Sequence, residues 1–153
     1  MKRYLVILGA TVVLGATASL WASGADFERA RKLYNLTEFQ DSIQVLQAIP
    51  EKDAPIWELI GRSYYGQGDF KKATEALEKA VRLDPSSSDA YLWLGRAYGR
   101  RAETSNPLSA PGHAGKARQN FERAAQLNPE NLEAQSDLFE YYLEAPGFLG
   151  VAW

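Results

Sequence analysis

The sequence predicts an all-α fold in which pairs of helices stack on one another, and three observations support this prediction. Apolar residues recur at spacings of three and four positions, as they do along one face of a helix. Small residues alternate with large ones at fixed places on that face. The whole pattern returns after 34 residues, and a period of this length is typical of a repeat protein.

The clearest repeat runs over residues 54–87 and contains two predicted helices. Their facing stripes are Trp57, Ile60, Gly61 and Tyr64 in the first helix and Phe70, Ala73, Leu77 and Ala80 in the second. Gly68 and Asp69 separate the helices, and Pro85 ends the second because proline cannot continue a helix. Small residues opposite large ones predict that the paired helices approach each other closely.

The same pattern continues downstream with an interruption. A matching first helix carries Tyr91, Leu94, Gly95 and Tyr98, each 34 positions after its counterpart. The matching second helix, with Ala117 and Phe121, comes 44 positions after its counterpart. Ten residues are therefore inserted between the helices of this pair. Because the segment is rich in Pro, Gly and Ser, we predict a loop within residues 102–115.

Two weaker repeats flank these. We place the repeats near 25–53, 54–87 and 88–131, with a partial repeat over 132–153. The first repeat has Ala30 in place of the glycine and Ser42 in place of the alanine. The partial repeat has Phe139 in place of the glycine and no second helix of its own.

A 34-residue helix-turn-helix repeat with this alternation of aromatic, Gly and Ala residues resembles the tetratricopeptide repeat (TPR) family. The resemblance covers roughly residues 25–143. It implies an α-α superhelix (a TPR solenoid) of about three helix pairs plus a final helix. Since no single repeat buries its apolar face alone, the repeats must stack. In this family the first helix of each pair lines a concave groove.

The resemblance also predicts which side chains would face the groove, and these are our candidates for binding a partner. They are Arg31, Tyr34, Arg62, Tyr65, Arg96 and Arg100. A guanidinium group is well shaped for carboxylates, and tyrosine offers rigid contact area. The expected partner is a protein or peptide, with an acidic peptide as one candidate. The alternative is that these arginines pair with nearby Glu and Asp residues on exposed helix faces.

The N-terminus differs from the rest of the chain. Lys2 and Arg3 precede an uncharged run from Tyr4 to Trp21, and small residues follow it. This order predicts a secretory signal peptide over residues 1–24, with the repeat domain over 25–153. The alternative is an uncleaved membrane anchor, since the run is at the lower limit for a membrane span. The expected location is periplasmic or secreted, or anchored in the inner membrane under the alternative.

The composition excludes several classes of function. A net charge of −2 does not suit a general nucleic-acid binder, which usually has a basic excess. The chain has no cysteine and a single histidine, His113, so thiolate chemistry and a multi-histidine metal site are excluded. No phosphate-binding loop or nucleophile motif is present. We therefore predict a non-enzymatic protein with no cofactor and no bound metal.

The C-terminus is unusually apolar for the end of a solenoid, which normally finishes with a polar-faced helix. This segment either folds back over the last helix pair or docks onto another chain. Two functions remain open. The first is an exported scaffold that binds a protein or peptide in its groove. The alternative is an assembly subunit that dimerises or docks into an envelope complex through its apolar C-terminus.

Overall fold

The structure is a computed structural model that describes residues 24–144. In this range the chain is all-α and contains seven helices. They are α1 (24–35), α2 (Phe39–Ala48), α3 (Ala54–Gly66), α4 (Phe70–Leu83), α5 (Ser88–Thr104), α6 (Ala110–Leu127) and α7 (Leu132–Glu144). The predicted fold class is confirmed. The predicted signal peptide and the apolar stretch after residue 144 lie outside the described residues.

Contacts divide the chain into two compact units, with the boundary between Pro50 and Glu51. The first unit contains the pair α1 and α2, and the second contains α3 to α7. Within the described residues, no helix is both long enough and apolar enough to cross a membrane.

Short polar side chains cap the N-termini of most of the helices in the second unit. Asp53 accepts a hydrogen bond from the backbone N–H of the third residue after it, and Asp69, Ser87 and Asn131 do the same at 3.1 Å. Each side chain satisfies a backbone donor that the first helical turn leaves without a partner. These caps fix where each helix starts and therefore the register of the repeats.

In the first two helix pairs, the turn between the helices contains a residue with a left-handed backbone conformation at the same repeat position. Gly68 has a φ of 79°, and the N–H of Asp69 beside it donates to the carbonyl oxygen of Tyr64. In the first pair the equivalent residue is Thr37, with a φ of 62°. A glycine adopts this conformation without strain, whereas a β-branched residue does so at a cost.

The close approach predicted between paired helices is confirmed in the second unit. A Cβ atom placed on Gly61 would lie 2.5 Å from Cγ of Leu77. A Cβ atom on Gly95 would lie 2.6 Å from the ring of Phe121. Real Cβ atoms essentially never come so near, so both glycines are required for the helix spacing. The two contacts differ by the ten inserted residues, as the repeat alignment predicts.

The main core of the second unit combines small and large side chains from α4 to α7. Its buried members are Ala73, Leu77, Leu92, Leu94, Ala97, Tyr98, Ala117, Phe121, Ala124 and Ala134. Alanines supply close contacts between helices, and the larger residues fill the space that remains. In the first unit, Ala30 and Ser42 are both fully buried, and the Ser42 hydroxyl donates to the Ala30 carbonyl oxygen at 2.9 Å.

The inserted segment contains the predicted loop, but the loop is shorter than expected. We expected a loop within residues 102–115, but α5 continues to Thr104 and α6 begins at Ala110. Only residues 105–109 are non-helical. Pro111 lies in the first turn of α6, where a proline removes no helical hydrogen bond. Most of the insertion therefore lengthens two helices.

Candidate functional site

A cleft of about 270 Å³ opens on the face of the second unit that α3, α5 and α7 share. Its lining residues are Tyr65, Arg96, Gly99, Arg100, Glu103, Phe121, Asp137, Glu140, Tyr141 and Glu144. Three of the predicted groove residues, Tyr65, Arg96 and Arg100, thus come together at one place. Arg62 is not among the lining residues, but its guanidinium group contacts Trp93, as that of Arg96 does.

Arg96 connects two of the first helices. Its Nε donates to Oδ2 of Asp137 at 2.5 Å, and its Nη2 donates to Oε2 of Glu133 at 3.0 Å. Burial alone would lower the pKa of Arg96, but the two carboxylates on α7 raise it on balance. The Arg96 side chain is 21% exposed and the Asp137 side chain 20%. This arginine therefore holds α5 against α7.

Trp93 on α5 contacts two guanidinium groups, one from Arg62 on α3 and one from Arg96 on its own helix. Cζ of Arg62 lies 4.7 Å from the centre of a Trp93 ring, and Cζ of Arg96 lies 4.8 Å from it. The Tyr65 ring meets Trp93 edge-on at 5.5 Å. Cation–π contacts of this kind contribute about 0.5–1 kcal/mol each at exposed sites. Trp93 therefore lies inside a packed row of side chains along the groove face.

Each groove arginine in the second unit already contacts a carboxylate. Arg62 donates to Glu58 at 3.3 Å, and Arg100 pairs with Glu103 one turn away on α5. Burial raises the pKa of Glu58, although the neighbouring Arg62 acts in the opposite direction. Arg100 also lies 5.2 Å from the Phe70 ring centre. The positive charge predicted for the groove is thus largely neutralised by the protein itself.

The two remaining candidates, Arg31 and Tyr34, belong to the first unit. Arg31 pairs with Glu28 at 2.7 Å, and both side chains are more than half exposed. The Tyr34 ring packs against Phe39 at 5.5 Å. The Tyr65 ring packs against Phe70 in the same way, at 5.4 Å. The equivalent repeat positions thus make equivalent local contacts in the two units.

Sequence reasoning missed Asp137 and Tyr141, which line the cleft from α7. Asp137 follows Glu133 by one helical turn, and this spacing places both carboxylates on the same face. The hydroxyl of Tyr141 donates to the carbonyl oxygen of Ala114 at 3.1 Å, and burial raises the pKa of Tyr141. The acidic face of α7 was therefore visible in the sequence, although its arginine partner was not.

A second polar cluster surrounds Tyr98, away from the lining of the cleft. The Tyr98 hydroxyl donates to Glu78 and accepts from Lys116 at 3.2 Å. The His113 ring stacks on Tyr98 at 5.9 Å. Burial, with Arg101 and Lys116 nearby, lowers the pKa of His113 and so favours its neutral form. The inserted part of α6 thus packs through His113 onto the ring of Tyr98.

The carboxylates of the cleft and of the Tyr98 cluster do not converge on a metal-binding arrangement. Across residues 24–144, no group of three or more His, Cys, Asp or Glu side chains could hold a metal ion. The cleft offers aromatic rings and a rim of both charges, which are the groups that contact side chains of a polypeptide.

Comparisons with known proteins identify the class of fold. The family model described as "TPR repeat" matches residues 61–101. A thermophilic TPR protein of Thermus thermophilus superposes with a TM-score of 0.73 at 17% identity, covering 80% of this chain and 65% of that one. The Arabidopsis OM64 TPR domain gives 0.69 at 19% identity, over 82% of this chain and 98% of that one. The fold is therefore that of a TPR solenoid, and residues 61–101 match the TPR repeat model.

Two further similarities are to a TPR domain solved with a bound peptide and to a much longer curated protein. The second TPR domain of human RPAP3, solved in complex with an HSP70 peptide, gives a TM-score of 0.66 at 20% identity, over 80% of this chain and 97% of that one. Superkiller protein 3 of Saccharomyces cerevisiae is 34% identical over 71 residues, which is 46% of this chain and 5% of the yeast protein. The chain thus spans only a small part of this curated relative.

Proposed function

We propose that this chain is a non-enzymatic scaffold that binds a protein or peptide partner in the groove of its first helices. The observation that carries the proposal is the cleft between α3, α5 and α7, with Tyr65, Phe121 and Tyr141 in its lining. Proteins of similar fold bind peptides: RPAP3 domains were solved with HSP90 and HSP70 peptides, and a Yersinia enterocolitica secretion chaperone with a translocator peptide.

The ion pairs bear on the chemistry of the partner. An acidic peptide was one expectation from the arginines, and it stays a prediction. Yet Arg96 and Arg100 share the cleft with Glu103, Asp137, Glu140 and Glu144, so carboxylates outnumber guanidinium groups there. Since both arginines already contact carboxylates, the lining favours a partner segment with basic or apolar side chains.

Export is a separate part of the proposal. It rests on the basic residues Lys2 and Arg3 and the uncharged run that follows them. Expression in a bacterial host, followed by fractionation and intact-mass measurement, tests it. Cleavage near residue 24 supports a periplasmic or secreted protein. A full-length chain in the membrane fraction supports the anchored alternative.

A substitution that fills the cleft tests whether the partner binds there. A Cβ atom on Gly99 would meet nothing within 4 Å, and Gly99 lines the cleft. Gly99→Trp should therefore occupy the cleft without disturbing the core. Gly112 has equally open space in α6 but is not among the lining residues, so Gly112→Trp is the matched control.

Peptides are first selected by display on the wild-type chain and then measured against each variant. We expect Gly99→Trp to weaken binding of the selected peptides by about tenfold or more, and Gly112→Trp to leave it unchanged. Circular dichroism establishes that both variants remain helical. If the selected peptides bind Gly99→Trp as tightly as the wild type, the cleft is not the binding site.

A further inference from the structure

Three large apolar side chains form a ridge on the outside of α7, and we name them the α7 ridge: Leu132, Phe139 and Leu143. They are 80%, 65% and 60% exposed, respectively. Their spacings of seven and four residues place them on one stripe of the helix. Isolated exposed leucines are ordinary on protein surfaces, but three large residues aligned on one helix form an exposed apolar surface. The polar residues Gln135 and Ser136 interrupt it between Leu132 and Phe139.

The α7 ridge is distinct from the two other faces of the same helix. Ala134 is buried, and Leu138 and Tyr141 pack against the core. Glu140 and Asp137 line the cleft. At about 3.6 residues per turn, the ridge lies opposite the core-facing residues, roughly a quarter-turn from Glu140 and more than a third of a turn from Asp137. The three apolar residues of the ridge are therefore not part of the cleft proposed to bind a peptide, although Glu140 borders both surfaces.

The repeat register shows what covers this face in the other pairs. Phe139 occupies the repeat position of Gly61 and Gly95. Those glycines lie against Leu77 and Phe121 of the second helix of their own pair. A benzyl group cannot fit where even a Cβ atom would approach within 2.6 Å of its neighbour. A helix packed on the ridge must therefore lie farther from α7 and contact Phe139 as a protruding residue.

The charge of α7 indicates the chemistry of such a helix. Its sequence, LEAQSDLFEYYLE, has four carboxylates and no basic residue. Glu133 and Glu140 lie on the flank of the ridge; Arg96 already pairs with Glu133 and Asp137, so Glu140 contributes most of the negative charge there. A second copy of the chain would place another four carboxylates beside these, and like charges at close range oppose association. A helix with lysine or arginine beside its apolar stripe would instead be attracted.

We propose that the α7 ridge docks an amphipathic helix of a protein partner, with apolar residues on Leu132, Phe139 and Leu143 and basic residues toward the carboxylates of α7. Helix-in-groove recognition uses this arrangement of apolar anchors and flanking charges. The ridge is then a second interaction surface, and it does not depend on the function proposed for the cleft.

The first test asks whether the ridge is open in the free chain. The protein has no cysteine, so one introduced thiol is the only site of labelling. Phe139→Cys should react with a maleimide at nearly the rate of Leu108→Cys, because Leu108 is 96% exposed. A rate at least tenfold slower would overturn the proposal. Slow labelling that recovers on dilution would identify a second copy as the occupant, and slow labelling at all concentrations would identify the chain itself.

The second test measures docking with a synthetic probe. The probe is an amidated 18-residue peptide of Leu, Ala and Lys, with Leu on one helical stripe and Lys beside it. The matched peptide replaces every Lys with Glu. We expect the Lys peptide to bind the full chain at least about tenfold more tightly than the Glu peptide, by fluorescence anisotropy. Equal binding of the two peptides would overturn the charge argument.

Variants then locate the binding surface. Phe139→Ser/Leu143→Ser should weaken the Lys peptide by about tenfold, whereas Leu83→Ser/Leu108→Ser removes two exposed leucines elsewhere and should not. Gly99→Trp should leave this binding unchanged, because the cleft is a separate surface. Unchanged binding to the ridge variant would place the peptide elsewhere and contradict the proposal. Loss of binding to Gly99→Trp would also contradict it and assign the probe to the cleft.

Discussion

The first helix pair and the second have the same local design but use different residues to achieve it. In α3 and α4, Gly61 lies against Leu77 and a glycine forms the turn. In α1 and α2, Ala30 and Ser42 occupy the close-contact positions, and Thr37 forms the turn. The distances between ring centres in Tyr34–Phe39 and Tyr65–Phe70 are nearly the same. The comparison shows that spacing and side-chain volume define the pair, while residue identity varies.

The largest effect on stability is expected from a substitution at the closest contact between α3 and α4. Gly61→Leu would place a side chain where a Cβ atom already comes within 2.5 Å of Leu77. We expect the free energy of unfolding to fall by about 1–3 kcal/mol, because the helices must separate or adopt strained rotamers. Urea unfolding followed by circular dichroism measures it. The control is Gly115→Ala in α6, where a Cβ atom meets nothing within 4 Å.

The control should be neutral or stabilising by up to about 1 kcal/mol, since alanine favours a helix interior over glycine. If Gly61→Leu and Gly115→Ala unfold at the same urea concentration, the close contact between α3 and α4 is not required. In that case the first pair, which has Ala30 at this position, would be the better guide to the repeat.

The next effect compares two arginines at the same repeat position. Arg96 reaches Asp137, and both side chains are about one-fifth exposed, whereas Arg31 reaches Glu28 and both are more than half exposed. Double-mutant cycles with Gln and Asn replacements should give a coupling of about 1–2 kcal/mol for Arg96–Asp137. The exposed pair should give about 0.2–0.5 kcal/mol. Equal couplings would mean that Arg96 does not hold α5 to α7.

A third effect concerns the turns. Thr37 has a left-handed φ of 62°, which costs a residue other than glycine about 1–3 kcal/mol. Thr37→Gly should therefore stabilise the first pair by about 1 kcal/mol, after part of the gain is lost to the flexibility of glycine in the unfolded chain. The reciprocal change, Gly68→Thr, should destabilise the second pair. Amide hydrogen exchange in α2 and α4 reports each pair separately, and slower exchange in Gly68→Thr would contradict the argument.

Much of the fold could be predicted from the sequence because the packing rules act within one repeat. The contacts Gly61–Leu77 and Gly95–Phe121 follow from the repeat alignment once the ten inserted residues are counted. The predicted loop is present within residues 102–115 but occupies only 105–109, because proline suits two places, a loop and the first turn of a helix. Pro111 has the second role, and it therefore lies inside α6 instead of before it.

The site was only partly predictable for a different reason. The positions of Tyr65, Arg96 and Arg100 on a shared face follow from the repeat, but the partner of Arg96 lies 41 residues away on α7. Several surface carboxylates could have paired with it at similar energy. Which one does so depends on how successive first helices are stacked, and a repeat pattern does not specify this at the level of single atoms.

The smallest effect on stability is expected at Ser42, the polar residue that the first pair has in place of an alanine. Ser42 is fully buried and donates to the Ala30 carbonyl oxygen, whereas the second pair has Ala73 at this position. Ser42→Ala should cost about 0.5–1 kcal/mol, which is the usual net contribution of one hydrogen bond. Ser136→Ala on the exposed surface of α7 is the control and should change nothing measurable. Hydrogen exchange in α2 should accelerate only in Ser42→Ala. Unchanged exchange there would mean that an alanine serves equally well, and that side-chain volume alone determines this contact in both pairs.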